Sequence, residues 1–112
     1  MIRKQIVLPA GRDEVWAALT DPRQLEEWFA NDVELDLRPG GEARFSGGNG
    51  ESRTAIVSVV VPEERLAFEW VGVGVVEFTL VDDVDGTRLT VVETSPAWTT
   101  ALALQASALA LA

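Results

Sequence analysis

The chain has 112 residues, 47% of them hydrophobic, which suits one core and is too short for two ordinary domains. Its formal net charge is −9 and its cations are scattered, so nucleic acid and anionic membrane surfaces are not expected partners. Cysteine and histidine are absent. This excludes disulfides, thiolate chemistry, a Ser-His-Asp triad and an ordinary zinc site, and we expect neither a metal nor a cofactor.

The first predicted element is a strand at residues 2–8. Ile2, Ile6 and Leu8 share one side of it, and Lys4 interrupts that side. The apolar run is too brief for the core of a signal peptide, so a cytoplasmic location is the expectation.

Two short helices are predicted next. Apolar residues recur at helical spacing from about Arg12 to Thr20. Asp21 can then cap a second helix, with Pro22 at its first position and Gln24 placed for a capping-box exchange. The predicted buried edge of this second helix comprises Leu25, Trp28 and Phe29.

Residues 33–94 alternate between apolar and polar positions, which predicts six further strands. Turn signals separate these strands at 38–41, 47–50, 62–63, 72–74 and 83–86. Seven strands with alternating faces predict one antiparallel sheet.

The C-terminal segment is predicted to be a helix. No charged side chain follows Glu93, and Pro96 precedes a segment rich in alanine and leucine. Helical spacing assigns one face to the sheet, comprising Trp98, Ala101, Leu102, Gln105 and Leu109. Leu104 and Leu111 point elsewhere, so we predict a homodimer through that outer face. A membrane span needs about 20 apolar residues, more than this segment supplies.

This order of elements resembles the helix-grip fold of the START-like superfamily, also called Bet v 1-like or SRPBCC. Four segments are similar to its branch of heat-shock ATPase activator homologues, namely VWAALTDPRQLEEWF (15–29), RPGGEARF (38–45), PEERLAFEW (62–70) and VEFTLVDDVDGTRLTVVET (76–94). A tryptophan that opens the last helix adds a fifth similarity. The resemblance implies a single α+β domain over residues 1–112, with a curved antiparallel sheet of six to seven strands wrapped on a long C-terminal helix.

The resemblance also implies a cavity between the sheet and the final helix. Relatives bind lipids, polyketides, aromatic metabolites or partner proteins, and only some are cyclases, so the fold alone does not define the function. The tight 71–74 connection and the short stretch before Trp98 predict a smaller or more open cavity. The residues predicted to line it are Trp28, Phe29, Phe68, Trp70, Phe78, Glu93, Trp98, Leu102 and Gln105. For any one of these aromatics, the alternative is simple core packing.

Glu93 is the one weak catalytic candidate, because strand alternation places it on the same face as Leu89 and Val91. It could anchor a ligand hydroxyl or act as a general base, or it could reach solvent or pair with an arginine. Asp82, Asp83 and Asp85 have calcium-like spacing but lack the later glutamate of an EF-hand, which indicates a solvated turn.

Three functions remain open at this point. The first is non-catalytic binding of a hydrophobic or aromatic small molecule in the cavity. The second is a cyclase- or hydratase-type enzyme that uses the same cavity with Glu93. The third is a co-chaperone-like or regulatory interaction module that acts through the outer face of the final helix.

Overall fold

The computed structural model describes residues 2–28, 32–46, 52–71 and 74–94. Two helices follow the first strand, and six more strands follow the helices, as the sequence predicts. The strands are β1 (Ile2–Leu8), β2 (Asp32–Leu35), β3 (Glu42–Ser46), β4 (Ser52–Val61), β5 (Arg65–Trp70), β6 (Gly74–Asp83) and β7 (Gly86–Glu93). The helices are α1 (Arg12–Thr20) and α2 (Pro22–Trp28).

All seven strands form one curved sheet in the order β1-β7-β6-β5-β4-β3-β2. Every neighbouring pair is antiparallel, and five of the six pairs are consecutive in the chain. The sixth pair joins β1 to β7, so β1 and β2 lie at opposite edges of the sheet, and the two helices connect them. The predicted antiparallel sheet and the two short helices are confirmed. The predicted C-terminal helix falls in residues 95–112, outside the described part of the chain.

One face of the sheet carries the core, and we call it the inner face. Alternate side chains on the central strands are buried there, and α1 and α2 pack against β2, β6 and β7. The inner-face core residues are Leu8, Val33, Ala43, Phe45, Ala55, Val57, Leu66, Phe68, Trp70, Val76, Phe78, Leu80, Leu89 and Val91. The opposite, outer face carries most of the charged side chains, as expected for a sheet with one wet side.

Strand β4 departs from simple alternation. The pairing with β5 shifts between Val57 and Val59, where a bulge adds one residue. Val57 lies opposite Phe68, and Val60 lies opposite Leu66, so both valines share the inner face although they are three positions apart. A period of two cannot predict this placement.

Lys4 also breaks an apolar pattern, and the structure supplies a physical reason. It lies opposite Val91 on β1, an edge strand with one unpaired side. An inward-facing charge on an edge strand discourages pairing with a second sheet. Lys4 therefore protects the edge without interrupting the core.

The junction between the helices differs from the predicted capping box. The Asp21 carboxylate does cap α2, because its Oδ1 accepts a hydrogen bond from the Arg23 backbone N–H at 3.0 Å. The Asp21 backbone N–H, however, donates to the Ala17 carbonyl at 2.8 Å. That donor is occupied by the end of α1, so it does not need the Gln24 side chain.

At one end of the sheet, contacts fasten α1 to the strands, and we call the set Ala10, Arg12, Asp82 and Thr87 the clamped end. The Thr87 hydroxyl is buried and donates to the Ala10 carbonyl at 2.7 Å. Arg12 pairs with Asp82 at 3.0 Å and donates to the Glu63 carbonyl at 3.5 Å. These contacts link the start of α1 and the residues before it to the β6–β7 hairpin and to the β4–β5 turn.

Candidate functional site

Four aromatic side chains lie together on the inner face. We call Phe45, Phe68, Trp70 and Phe78 the aromatic cluster. The Phe68 ring meets Phe45 with centroids 6.1 Å apart and Phe78 with centroids 6.3 Å apart, both edge to face. Trp70 meets Phe45 at 5.4 Å, again in an edge arrangement. These geometries are the preferred ones for aromatic pairs.

Short side chains on the intervening strand allow this cluster to form. Phe45 lies on β3 and Trp70 on β5, two strand spacings apart, or about 10 Å between backbones. Between them, β4 presents Ala55, which pairs with Trp70 on one side and with Ala43 on the other. Ala43 and Ala55 are paired across neighbouring strands, and their short side chains leave room for the Phe45 and Trp70 rings to meet above Ala55.

The Trp70 indole N–H is the most informative polar group on this face. Trp70 is 5% exposed, and its Nε1 is a buried donor that has no hydrogen-bond acceptor among the residues described. Buried polar groups in proteins are nearly always paired, and leaving one unpaired costs about 1–3 kcal/mol. A donor held in an apolar, aromatic setting is typical of a binding site that orients a polar atom of its ligand.

An arginine is a diagonal neighbour of Trp70 in the sheet register. Arg53 pairs with Phe45 in the β3–β4 register, and it is two residues from Ala55, the partner of Trp70. Diagonal neighbours on one face of a sheet are about 7–8 Å apart, so the guanidinium can reach the region of the indole. Arg53 is exposed, and within the described part of the chain it forms no ion pair.

Glu93 lies on the inner face of β7, as its alternation predicts. It is only 1% exposed and sits between Ile2 on β1 and Val76 on β6. Val76 in turn lies opposite Phe68, so the carboxylate and the aromatic cluster share one face, two strands apart. Of the alternatives that the sequence left open for Glu93, exposure to solvent does not hold, because the side chain is buried.

The structure brings together four of the predicted site residues, namely Phe68, Trp70, Phe78 and Glu93. The Trp28 side chain and all of Phe29, Trp98, Leu102 and Gln105 lie outside the described residues, as do the interface candidates Leu104 and Leu111. Their roles stay predictions. The sequence analysis missed Phe45 and Arg53 as site residues. Alternation already placed Phe45 with Ala43, but its contact with Trp70 depends on the strand order.

The acidic turn does not form a metal site in the described residues, where no three acidic, histidine or cysteine side chains converge. Asp82 pairs with Arg12, and Asp83 pairs with Arg88 at 2.8 Å. The other Asp83 oxygen accepts the Asp85 backbone N–H at 3.1 Å, a common turn contact. These carboxylates stabilise the β6–β7 hairpin.

Comparison with known proteins agrees with this architecture. The family model named Activator of Hsp90 ATPase homolog 1-like protein matches residues 9–109. The chain belongs to this family. Comparison with curated proteins finds no significant match.

Several solved structures have a fold similar to that of this chain. CalU16 from Micromonospora echinospora is 30% identical, with a TM-score of 0.76 over 96% of this chain and 73% of its own. DynU16, a protein in the dynemicin biosynthetic locus, is 30% identical with a TM-score of 0.77 over 97% of this chain. The chain spans only 45% of DynU16. A Nitrosomonas europaea protein, 23% identical, has a TM-score of 0.75 over 95% of this chain and 81% of its own.

No helix among the described residues combines the length and the apolar character needed to cross a membrane.

Proposed function

We propose that residues 1–112 form one START-like domain that binds a hydrophobic or aromatic small molecule against the inner face, without catalysing a reaction. The ligand lies against the aromatic cluster. The predicted C-terminal helix closes the site from the other side.

The observation that carries this proposal is the Trp70 N–H, which lies in a buried aromatic cluster and has no acceptor in the described part of the chain. Packing alone would favour an apolar side chain here, because it avoids the free-energy cost of burying a donor without an acceptor. Trp70 instead retains both an aromatic surface and a polar atom. A ligand with an apolar body and an acceptor atom satisfies both.

Relatives give coarser support. Membership of the family associates the chain with a fold that binds ligands in many branches, and DynU16 belongs to a biosynthetic locus. Neither fact names a ligand for this chain. The aromatic cluster favours planar or ring-containing molecules, since edge contacts between rings contribute about 0.5–1.5 kcal/mol each.

The test is a fluorescence titration with N-phenyl-1-naphthylamine, a neutral probe that brightens in apolar surroundings. We expect saturable binding at one site per chain, together with a rise in melting temperature as the probe concentration increases. Val76→Phe should abolish this binding while the protein stays folded, because the larger ring occupies space next to Phe68 that the ligand would use.

Val75→Phe is the matched control. Val75 is the preceding residue, lies on the outer face and is 45% exposed, so the same substitution should leave probe binding unchanged. If the wild type shows no saturable binding and Val76→Phe costs about 1–3 kcal/mol, the inner face is fully packed and the proposal is wrong.

A further inference from the structure

We infer that the ligand carries a carboxylate, which Trp70 and Arg53 bind together at one end of the inner face. This inference rests on the proposed function, and it specifies the chemical class of the ligand. It is based on the Trp70 indole N–H, which has no acceptor among the described residues, and on Arg53, the diagonal neighbour of Trp70 on the inner face.

The distribution of arginines on the sheet makes Arg53 unusual. Arg44, Arg65 and Arg88 all face outward on their strands, and each pairs with a carboxylate at 2.8–3.2 Å. Arg53 has the opposite orientation, because its register puts it on the same face as Ala55 and Val57. Among the residues described, it is the one arginine on the inner face.

The charge balance strengthens this point. The chain has 18 acidic residues against 9 basic ones, so a strand arginine has many carboxylates available as partners. Arg53 has no such partner among the described residues. Lys4 is the other inward-facing cation, but it lies on edge strand β1, where protection of the edge explains it. Strand β4 is interior, so that explanation does not apply to Arg53.

The chemistry of the two donors selects the ligand group. Both Trp70 and Arg53 can only donate hydrogen bonds, so the group between them must accept at least two. A carboxylate has two oxygens for this purpose, and its charge complements the guanidinium. A neutral carbonyl could satisfy the indole but would leave the arginine without a counter-charge. The apolar body of the ligand then extends over Phe45 and Phe68.

The experiment compares three probes that share one ring system, namely 2-naphthoate, 2-acetylnaphthalene and 2-ethylnaphthalene. We expect 2-naphthoate to bind at least tenfold more tightly than 2-ethylnaphthalene, with the ketone between them. Added salt should weaken only the naphthoate complex, because part of that affinity is electrostatic. In ¹H–¹⁵N spectra, naphthoate should shift the Trp70 indole resonance downfield more than the ethyl compound does.

Two arginine variants test whether Arg53 is the cation that binds the carboxylate of 2-naphthoate. Arg53→Met should weaken 2-naphthoate binding at least tenfold and leave 2-ethylnaphthalene binding unchanged. Arg3→Met is the matched control, since it removes the same charge from the outer face of β1. It should change naphthoate binding less than twofold.

The outcomes separate this inference from the proposed function. If all three probes bind equally, or if Arg53→Met behaves like Arg3→Met, the proposed function stands and the carboxylate inference is wrong. Tighter binding of the ketone than of the naphthoate also overturns it, in favour of a neutral acceptor. If neither these probes nor N-phenyl-1-naphthylamine binds, both proposals fail.

Discussion

The clamped end and the aromatic cluster occupy the same face of one sheet, but they differ in whether their buried polar groups have hydrogen-bond partners among the described residues. At the clamped end, the buried Thr87 hydroxyl has an acceptor at 2.7 Å and Arg12 has two partners. In the aromatic cluster, the buried Trp70 indole has no acceptor among the described residues. The buried polar groups named at the clamped end have partners, whereas the Trp70 donor has none among the described residues, and this difference suggests different roles for the two regions. Under the proposed function, the clamped end stabilises the fold and the aromatic cluster contacts the ligand.

The largest expected effect on stability is at Gly86, the residue before Thr87 of the clamped end, where two backbone segments approach closely. Gly86 has φ +135°, and a Cβ there would clash with the Leu8 carbonyl oxygen. Gly86→Ala should therefore cost about 3 kcal/mol or more, because neither backbone can move without breaking the β1–β7 pairing. Urea denaturation measures this change.

Gly40→Ala is the control for backbone strain alone. Gly40 also has a positive φ, +85°, but a Cβ there would meet nothing within 4 Å. Its cost should be about 1–2 kcal/mol. Equal costs for the two variants would show that the close approach at the clamped end adds nothing.

An intermediate effect is expected for Thr87→Val, which keeps the shape and removes the buried donor to Ala10. The free energy of unfolding should fall by about 1–3 kcal/mol, since the Ala10 carbonyl loses this partner. Thr90→Val makes the same replacement on the outer face of β7 and should change stability by about 0.5 kcal/mol or less. If Thr87→Val left the free energy of unfolding unchanged, the hydrogen bond at the clamped end would contribute nothing to stability, and the contrast between the two regions would be lost.

The smallest effect on stability is expected for Trp70→Phe in the ligand-free protein. Lost ring contacts are offset by removal of a donor without an acceptor, so the net cost should be below about 1 kcal/mol. The same variant should reduce the thermal stabilisation given by 2-naphthoate. Trp16→Phe, on the half-buried side of α1, should leave that stabilisation unchanged. A loss of several kcal/mol in ligand-free Trp70→Phe would assign Trp70 to the core.

Local pattern predicted most of the fold. Alternation located β3, β5, β6 and β7, and helical spacing located α1, because each signal depends only on neighbours along the chain. The register shift in β4 and the Asp21 backbone hydrogen bond were not predictable this way. Both depend on where a second segment lies, opposite the strand in one case and at the end of the previous helix in the other.

The sequence by itself determined the order of elements, the inward positions of Phe68, Trp70, Phe78 and Glu93, and the classes of chemistry that lack of cysteine and histidine excludes. Only the tertiary structure decided that Phe45 meets Trp70 across Ala55 and that Arg53 is the diagonal neighbour of Trp70 in the sheet. The physical reason is that the alternation of apolar and polar residues along a strand defines the face on which each side chain lies. The neighbours of that side chain on adjacent strands depend instead on strand order and register. That the Trp70 donor has no acceptor within residues 2–28, 32–46, 52–71 and 74–94 also depends on the tertiary structure, because it requires knowing which groups surround the indole.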